Sequence, residues 1–76
     1  MKRIRLDKMH YNQEGMVVSI DPDVRGKLAS MGLRTGKKTR MITKEPWKGP
    51  VVLLVDQANI SLGMGIAGKV QVEVDE

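Results

Sequence analysis

Cysteine and phenylalanine are both absent from the 76 residues. Without thiols the chain forms no disulfide, builds no thiolate zinc site and offers no cysteine nucleophile. A disulfide-stapled secreted mini-protein and thioredoxin-type redox chemistry are excluded together. Aromatic residues are nearly absent as well, Tyr11 and Trp47 being the only two. A core made from this chain is therefore aliphatic, and a ring-lined groove for a polyproline helix has too few rings to form. Long apolar runs are also missing. Nothing approaches the ~18 consecutive apolar residues of a membrane-spanning helix. The charged stretch MKRIRLDKMHYN is followed by no apolar region of the secretory-signal kind. The simplest reading is an intracellular soluble protein without membrane insertion. A single histidine, His10, leaves little material for acid–base chemistry.

What is present amounts to one small domain, residues 1–76, with no room for a second. A chain of this size buries about 60% of its unfolded surface, and 41% of its residues are apolar. Thirteen Lys and Arg against nine Asp and Glu give a net charge of +4, unevenly distributed. Residues 1–50 carry twelve basic and five acidic side chains, net +7. Residues 51–76 carry Lys69 against Asp56, Glu73, Asp75 and Glu76, net −3. This balance favours an acidic partner near the first half of the chain: nucleic acid, an acidic protein surface or anionic headgroups.

The hydrophobic pattern is that of short strands. Ile4 and Leu6 alternate with charges, while Leu6 and Met9 equally suit a helical turn. Met16–Ile20 reads as a strand. Asp21-Pro22-Asp23 is a helix start, with an Asp placed to accept from an orphan N–H and Pro preset for the first helical position. Val24, Leu28 and Met31 then form one apolar stripe. Gly32 supplies a left-handed stop, and Leu33 folds back on the last turn. Arg34-Thr35-Gly36 is a turn. Lys37–Thr43 reads as a strand with Thr39 and Met41 on one face, Lys38 and Arg40 on the other, and Ile42 breaking the alternation. Glu45–Pro50 is dense in turn residues. Val51–Val55 reads as a central strand packed on both sides. Asp56-Gln57-Ala58-Asn59 reads as a tight connection, Ile60–Leu62 as a strand, Gly63–Gly68 as an irregular or single-turn segment, and Val70–Val74 as a last strand. The expected fold is mainly β: a small SH3-like β-barrel of about five strands with one short inserted helix, closure being the economical way to hide sheet edges.

The order and spacing of these pieces resemble the FeoA family, the small protein of the bacterial ferrous iron transport system. The most specific piece is Leu28-Ala29-Ser30-Met31-Gly32-Leu33-Arg34-Thr35-Gly36, similar to the family's L-x-x-M-G-L-x-x-G. The Pro46–Pro50 turn before an apolar strand is second. Gly15, Val18 and Ile20, then Ile60 and Leu62, then Ala67 and Val70-Gln71-Val72, complete a resemblance running from about Leu6 to Val74. The chain departs from the family pattern at Gly63, where a basic residue is usual, and at Met64-Gly65-Ile66, which replaces an acidic or polar turn. It also carries Lys27-Leu28 where Arg-Leu is common. The resemblance implies an SH3-like barrel and a non-enzymatic adaptor or regulator of ferrous iron uptake. Its partner would be the cytosolic G-protein domain of the FeoB transporter, giving a cytoplasmic location peripheral to the inner face of the membrane. The same module occurs as a terminal domain of iron-dependent repressors, but these 76 residues contain no helix-turn-helix.

Candidate chemistry is sparse. No Ser, Thr or Lys is paired in sequence with a base, so no catalytic residue is assigned. Asp7, His10 and Glu14 would share one face only if their segment were helical. They otherwise read as solvated polar residues, and no metal site or cofactor is expected. The six methionines include Met9, Met31 and Met41 at core-like positions, where Met normally fills gaps. Gly63–Gly68 contains G-x-G-x-x-G without the strand–helix context of a dinucleotide site, and reads as a tight corner. The most informative surface is basic: Arg34, Lys37, Lys38, Arg40, Lys44 and Lys48 fall within fifteen residues, with Trp47 in the following turn. Lys37, Lys38, Arg40, Lys44, Trp47 and Lys48 are the candidate partner-binding residues, because Trp and Arg are enriched in binding hot spots. The alternative is a Trp lid on an aliphatic core beside a solvated charged face. A nucleic-acid-binding SH3-like or OB-like module is the rival function. The basic first half favours it, as does Gly15–Asp21, which looks like a strand-loop of RNA-binding barrels; the shortage of stacking aromatics opposes it.

Overall fold

The computed structural model describes residues 1–44 and 49–75. Six strands form one antiparallel sheet: β1 (Lys2–Arg5), β2 (Glu14–Ile20), β3 (Lys38–Lys44), β4 (Val51–Val55), β5 (Ala58–Leu62) and β6 (Val70–Val74). Their spatial order is β1-β6-β2-β3-β4-β5. A 3-10 turn (Leu6–Lys8) follows β1. Helix α1 (Pro22–Ser30) lies between β2 and β3, and a one-turn helix α2 (Met64–Ala67) between β5 and β6. The sheet curls so that every strand faces one aliphatic cluster. Leu6, Met9, Val17, Met41, Leu53, Leu62, Val70 and Val72 are all essentially inaccessible within it. This is the SH3-like barrel expected from the strand pattern. The additional strand is β1, and the following turn takes Leu6 inward, so both readings of the Ile4–Met9 segment apply in succession.

The helix forms where its caps dictate. Asp21 accepts from Asp23 N–H at 2.9 Å, and Pro22 opens α1. At the far end Gly32 has φ +95°; its N–H donates to Ala29 O at 3.0 Å, and Leu33 N–H donates to Leu28 O at 2.9 Å. These two bonds satisfy orphan carbonyls of the last turn, and Leu33 packs back beside Leu28, both fully buried.

Two irregularities let the strands keep one face inward. The pairing of β2 with β6 shifts register between Val17 and Ser19, leaving Val18 as an extra residue. Val17 and Ile20, at odd spacing, are thereby both buried. The pairing of β3 with β4 shifts between Met41 and Thr43, which places the extra residue at Ile42, where the alternation broke. In β4 the two faces differ: Val51, Leu53 and Val55 are buried, while Val52 and Leu54 are half-buried. This strand is sealed on one face only. The β4–β5 connection is tighter than its sequence suggests, because Asp56 and Gln57 alone make the turn and β5 already begins at Ala58.

Candidate functional site

Strand β3 presents its basic residues outward, as the alternation requires. Thr39 and Met41 are buried, Lys38 is exposed and Arg40 is half-buried. Each cation has a different surrounding. Lys37 Nζ lies 2.5 Å from Asp56 Oδ2. Arg40 sits 3.0 Å from Glu14 Oε2 and donates to Asn12 O at 2.7 Å, so it holds the 9–13 loop against the sheet. That loop is further tied by Asn12 N–H to Met41 O and Met41 N–H to Gln13 O, and it carries Tyr11 outward, 62% exposed. Lys38 is in no ion pair with any described residue. The Lys44 side chain, Trp47 and Lys48 lie outside the described residues, as do the first residues of the Pro46–Pro50 turn.

Among the described residues the sheet does not collect the cations into a continuous basic stripe. Across the outer face, Arg3 on β1 is opposite Glu73 on β6, Glu73 opposite Met16 on β2, and Met16 opposite Lys38 on β3. In the next row Glu14 faces Arg40, which faces Leu54 and then Asn59. The acidic second half of the chain is interleaved with the basic first half because β6 pairs between β1 and β2. The surface is one of mixed charge with apolar residues between the charges, Met16 exposed and Leu54 half-buried. Such a pattern suits another protein surface better than a phosphate backbone, which calls for an unbroken positive track.

The other candidates do not assemble. Asp7 is buried in the 3-10 turn and takes two bonds from Arg5, Nε at 3.1 Å and a terminal nitrogen at 3.0 Å. His10 is exposed in the loop, and Glu14 lies on β2 against Arg40. Among the described residues no three His, Asp or Glu side chains are grouped to hold a metal ion. Gly63 caps the single turn of α2, which joins two strands that do not pair with each other, so the glycine motif has no strand–helix–strand setting. No helix of the described residues is long and apolar enough to cross a membrane.

Sequence reasoning grouped Arg34 with the β3 cations and singled out no role for Arg25 on α1. The structure brings these two together instead, at a cleft beside α1 lined by Ile20, Arg25, Ala29, Leu33, Arg34 and Thr35. Their separation along the chain hid this, since only the reversal at Gly32 folds the 33–35 segment back against the helix.

These features define a small SH3-like β-domain with a mixed-charge outer sheet face. The chain belongs to the FeoA family: the FeoA domain model matches residues 4–74. The family comprises small non-catalytic accessory proteins associated with ferrous iron transport. A relative from Methanocaldococcus jannaschii, provisionally named Fe(2+) transport protein A, is 38% identical over 47 residues; that stretch spans 62% of this chain and 55% of the relative. The crystal structure of an iron uptake regulatory protein, FeoA, superposes with a TM-score of 0.87 at 33% identity, covering 96% of this chain and 97% of that one. An NMR structure of a FeoA-like protein from Clostridium acetobutylicum gives 0.85 at 29% identity, covering 97% and 88%. The same fold occupies 42% of a manganese-dependent transcriptional repressor, at 22% identity with a TM-score of 0.86 over 96% of this chain.

Proposed function

We propose that this chain is a non-enzymatic adaptor of ferrous iron uptake that docks on the cytosolic G-protein domain of a FeoB-type membrane transporter. The observation that carries the reading is the extent of the family match, residues 4–74, which spans the whole barrel rather than a local motif. The mixed-charge outer face supports a protein partner over nucleic acid, because Glu14, Asp56 and Glu73 stand among the cations that a phosphate backbone would need free. Docking would act by binding one state of the transporter better than another, which is the only way a non-catalytic partner shifts an equilibrium. Lys37, Lys38, Arg40, Lys44, Trp47 and Lys48 remain the residues proposed for contact with the partner.

The test is titration of labelled protein with the purified G domain of a FeoB transporter at two salt concentrations. Saturable binding at about 1–10 μM or tighter is the expected result. Absence of binding in every nucleotide state, together with salt-sensitive binding to RNA in the same buffer, would replace the adaptor reading with the nucleic-acid one.

A further inference from the structure

A cleft lies beside α1, and the β3-side reading makes no use of it. It has a volume of about 310 Å³. Its floor is apolar: Ile20 at the end of β2, Leu33 just past the helix, and Ala29 on the flank of α1. Arg25 and Arg34 border it from opposite sides of the chain reversal, and Thr35 adds a hydroxyl. Arg25 and Ala29 lie four residues apart and therefore on one helix face.

Two properties argue that this is a receptor rather than a crease. The first is rigidity. The segment Leu33–Thr35 is bracketed by Gly32 at φ +95° and Gly36 at φ +90°. It is pinned at one end by Leu33 N–H to Leu28 O at 2.9 Å and at the other by Gly36 N–H to Val17 O at 2.7 Å. A cleft with walls fixed in this way needs little ordering on binding, which is what usually erodes affinity. The second is uncompensated charge. Among the described residues, Arg5, Lys37 and Arg40 are matched to carboxylates. Neither Arg25 nor Arg34 is in an ion pair with any described residue. A long hydrogen bond from the Arg25 guanidinium to Ile20 O, 3.4 Å, holds it beside the cleft, and it makes no other side-chain hydrogen bond to a described residue.

We propose that this cleft binds a short acidic peptide segment of a partner protein, with one aliphatic side chain seated on Ile20, Ala29 and Leu33 and flanking carboxylates paired to Arg25 and Arg34. Charge complementarity selects the carboxylates, since guanidinium forks match them with two parallel hydrogen bonds. The aliphatic floor selects a Leu- or Met-like anchor. Among the described residues no aromatic lines the cleft, so they offer stacked bases and a polyproline helix no platform. The inference deepens the adaptor reading and rests on it only for the partner's identity. It adds a docking site around the helix from the β3 face.

The experiment is an amide chemical-shift titration of the full chain with a blocked pentapeptide, Glu-Asp-Leu-Glu-Asp, up to millimolar concentration. The expected result is saturable shifts centred on Ile20, Arg25, Ala29 and Leu33–Thr35, with Kd of about 1 mM or tighter. Replacing the central Leu by Ser in the peptide, or combining Arg25→Glu with Arg34→Glu in the protein, should weaken binding about tenfold or more. Both arginines are exposed, so the variant keeps its fold, which its own spectrum verifies. The proposal is overturned by the absence of saturable shifts, by equal binding of the Ser peptide, or by shifts centred on Lys38 and Arg40. Stronger shifts of the same amides by phosphatidylglycerol vesicles than by the peptide would overturn it in favour of a lipid ligand. Titrating the G domain with the same double variant separates the two claims. If the wild type binds and the variant binds equally well, the cleft is not the docking site and the adaptor reading stands. If the wild type does not bind, the adaptor reading fails and the peptide titration alone decides the cleft.

Discussion

Thr39 is a hydroxyl in an aliphatic core. It is 2% exposed, and its Oγ1 has no hydrogen-bond partner among the described residues. A buried polar atom left unpaired costs on the order of 1–3 kcal/mol, more than most single contacts return. Thr39→Val, which replaces the hydroxyl by a methyl of similar size, is expected to raise unfolding stability by about 1 kcal/mol, read as a shift in the urea midpoint at unchanged slope. An unchanged or lower midpoint would mean that the hydroxyl is satisfied in solution. The neighbouring strand explains the tolerance for small residues here: Gly15 pairs with Thr39, and a Cβ on Gly15 would sit 3.1 Å from Val72 Cβ and 3.1 Å from Val74 Cγ1. Both residues were visible in the sequence, Thr39 as an inward strand position and Gly15 as the start of the resemblance at β2. That Gly15 is a close-packing glycine inside a strand depends on β6, which arrives more than fifty residues later.

Among the elements, α1 was the most legible, because its signals are local: Asp21 and Pro22 at one end, Gly32 and Leu33 at the other, and a stripe between them. Met31, placed on that stripe by spacing, is only half-buried, since it is the C-cap and the stripe ends at Leu28. The hairpin of β4 and β5 was less legible. Asp56 and Gln57 have φ of +49° and +67°, so both central turn residues are left-handed, the geometry of a two-residue hairpin turn. The sequence marker for that turn is a glycine, and here Gln57 occupies the position, so the connection read as two residues longer. A non-glycine residue held left-handed costs roughly 1 kcal/mol. Gln57→Gly should therefore stabilise the protein by about 0.5–1 kcal/mol, measured by the thermal midpoint, provided the loss of Gln57 costs no contact. A fall in the midpoint would show that the Gln57 side chain contributes more than its backbone costs.

At the scale of the molecule the charge pattern was the least legible feature. A first half at +7 and a second half at −3 suggested a dipole along the chain. The fold cancels it by threading β6 between β1 and β2, so that Arg3 meets Glu73. The candidate β3 face was correctly placed outward, because alternation is local. Its mixture of signs was not foreseeable without the strand order. The same strand order makes β6 indispensable: Val70, Val72 and Val74 are all buried, and the strand pairs on both edges. A chain ending at Lys69 is expected to lose dispersed amide resonances altogether, whereas retention of a native-like spectrum would show that β2–β5 fold without it.

Lys2 stands opposite Val74 at one end of β6, while Ile20, on the cleft floor, stands opposite Val70 at the other. Four residues of extended strand separate those ends by roughly 13 Å. Lys2 and Val74 thus lie side by side at one rim, and the cleft residue Ile20 lies at the other end of β6. A domain arranged in this way can be spliced into a longer polypeptide through two adjacent seams with its far pole left clear.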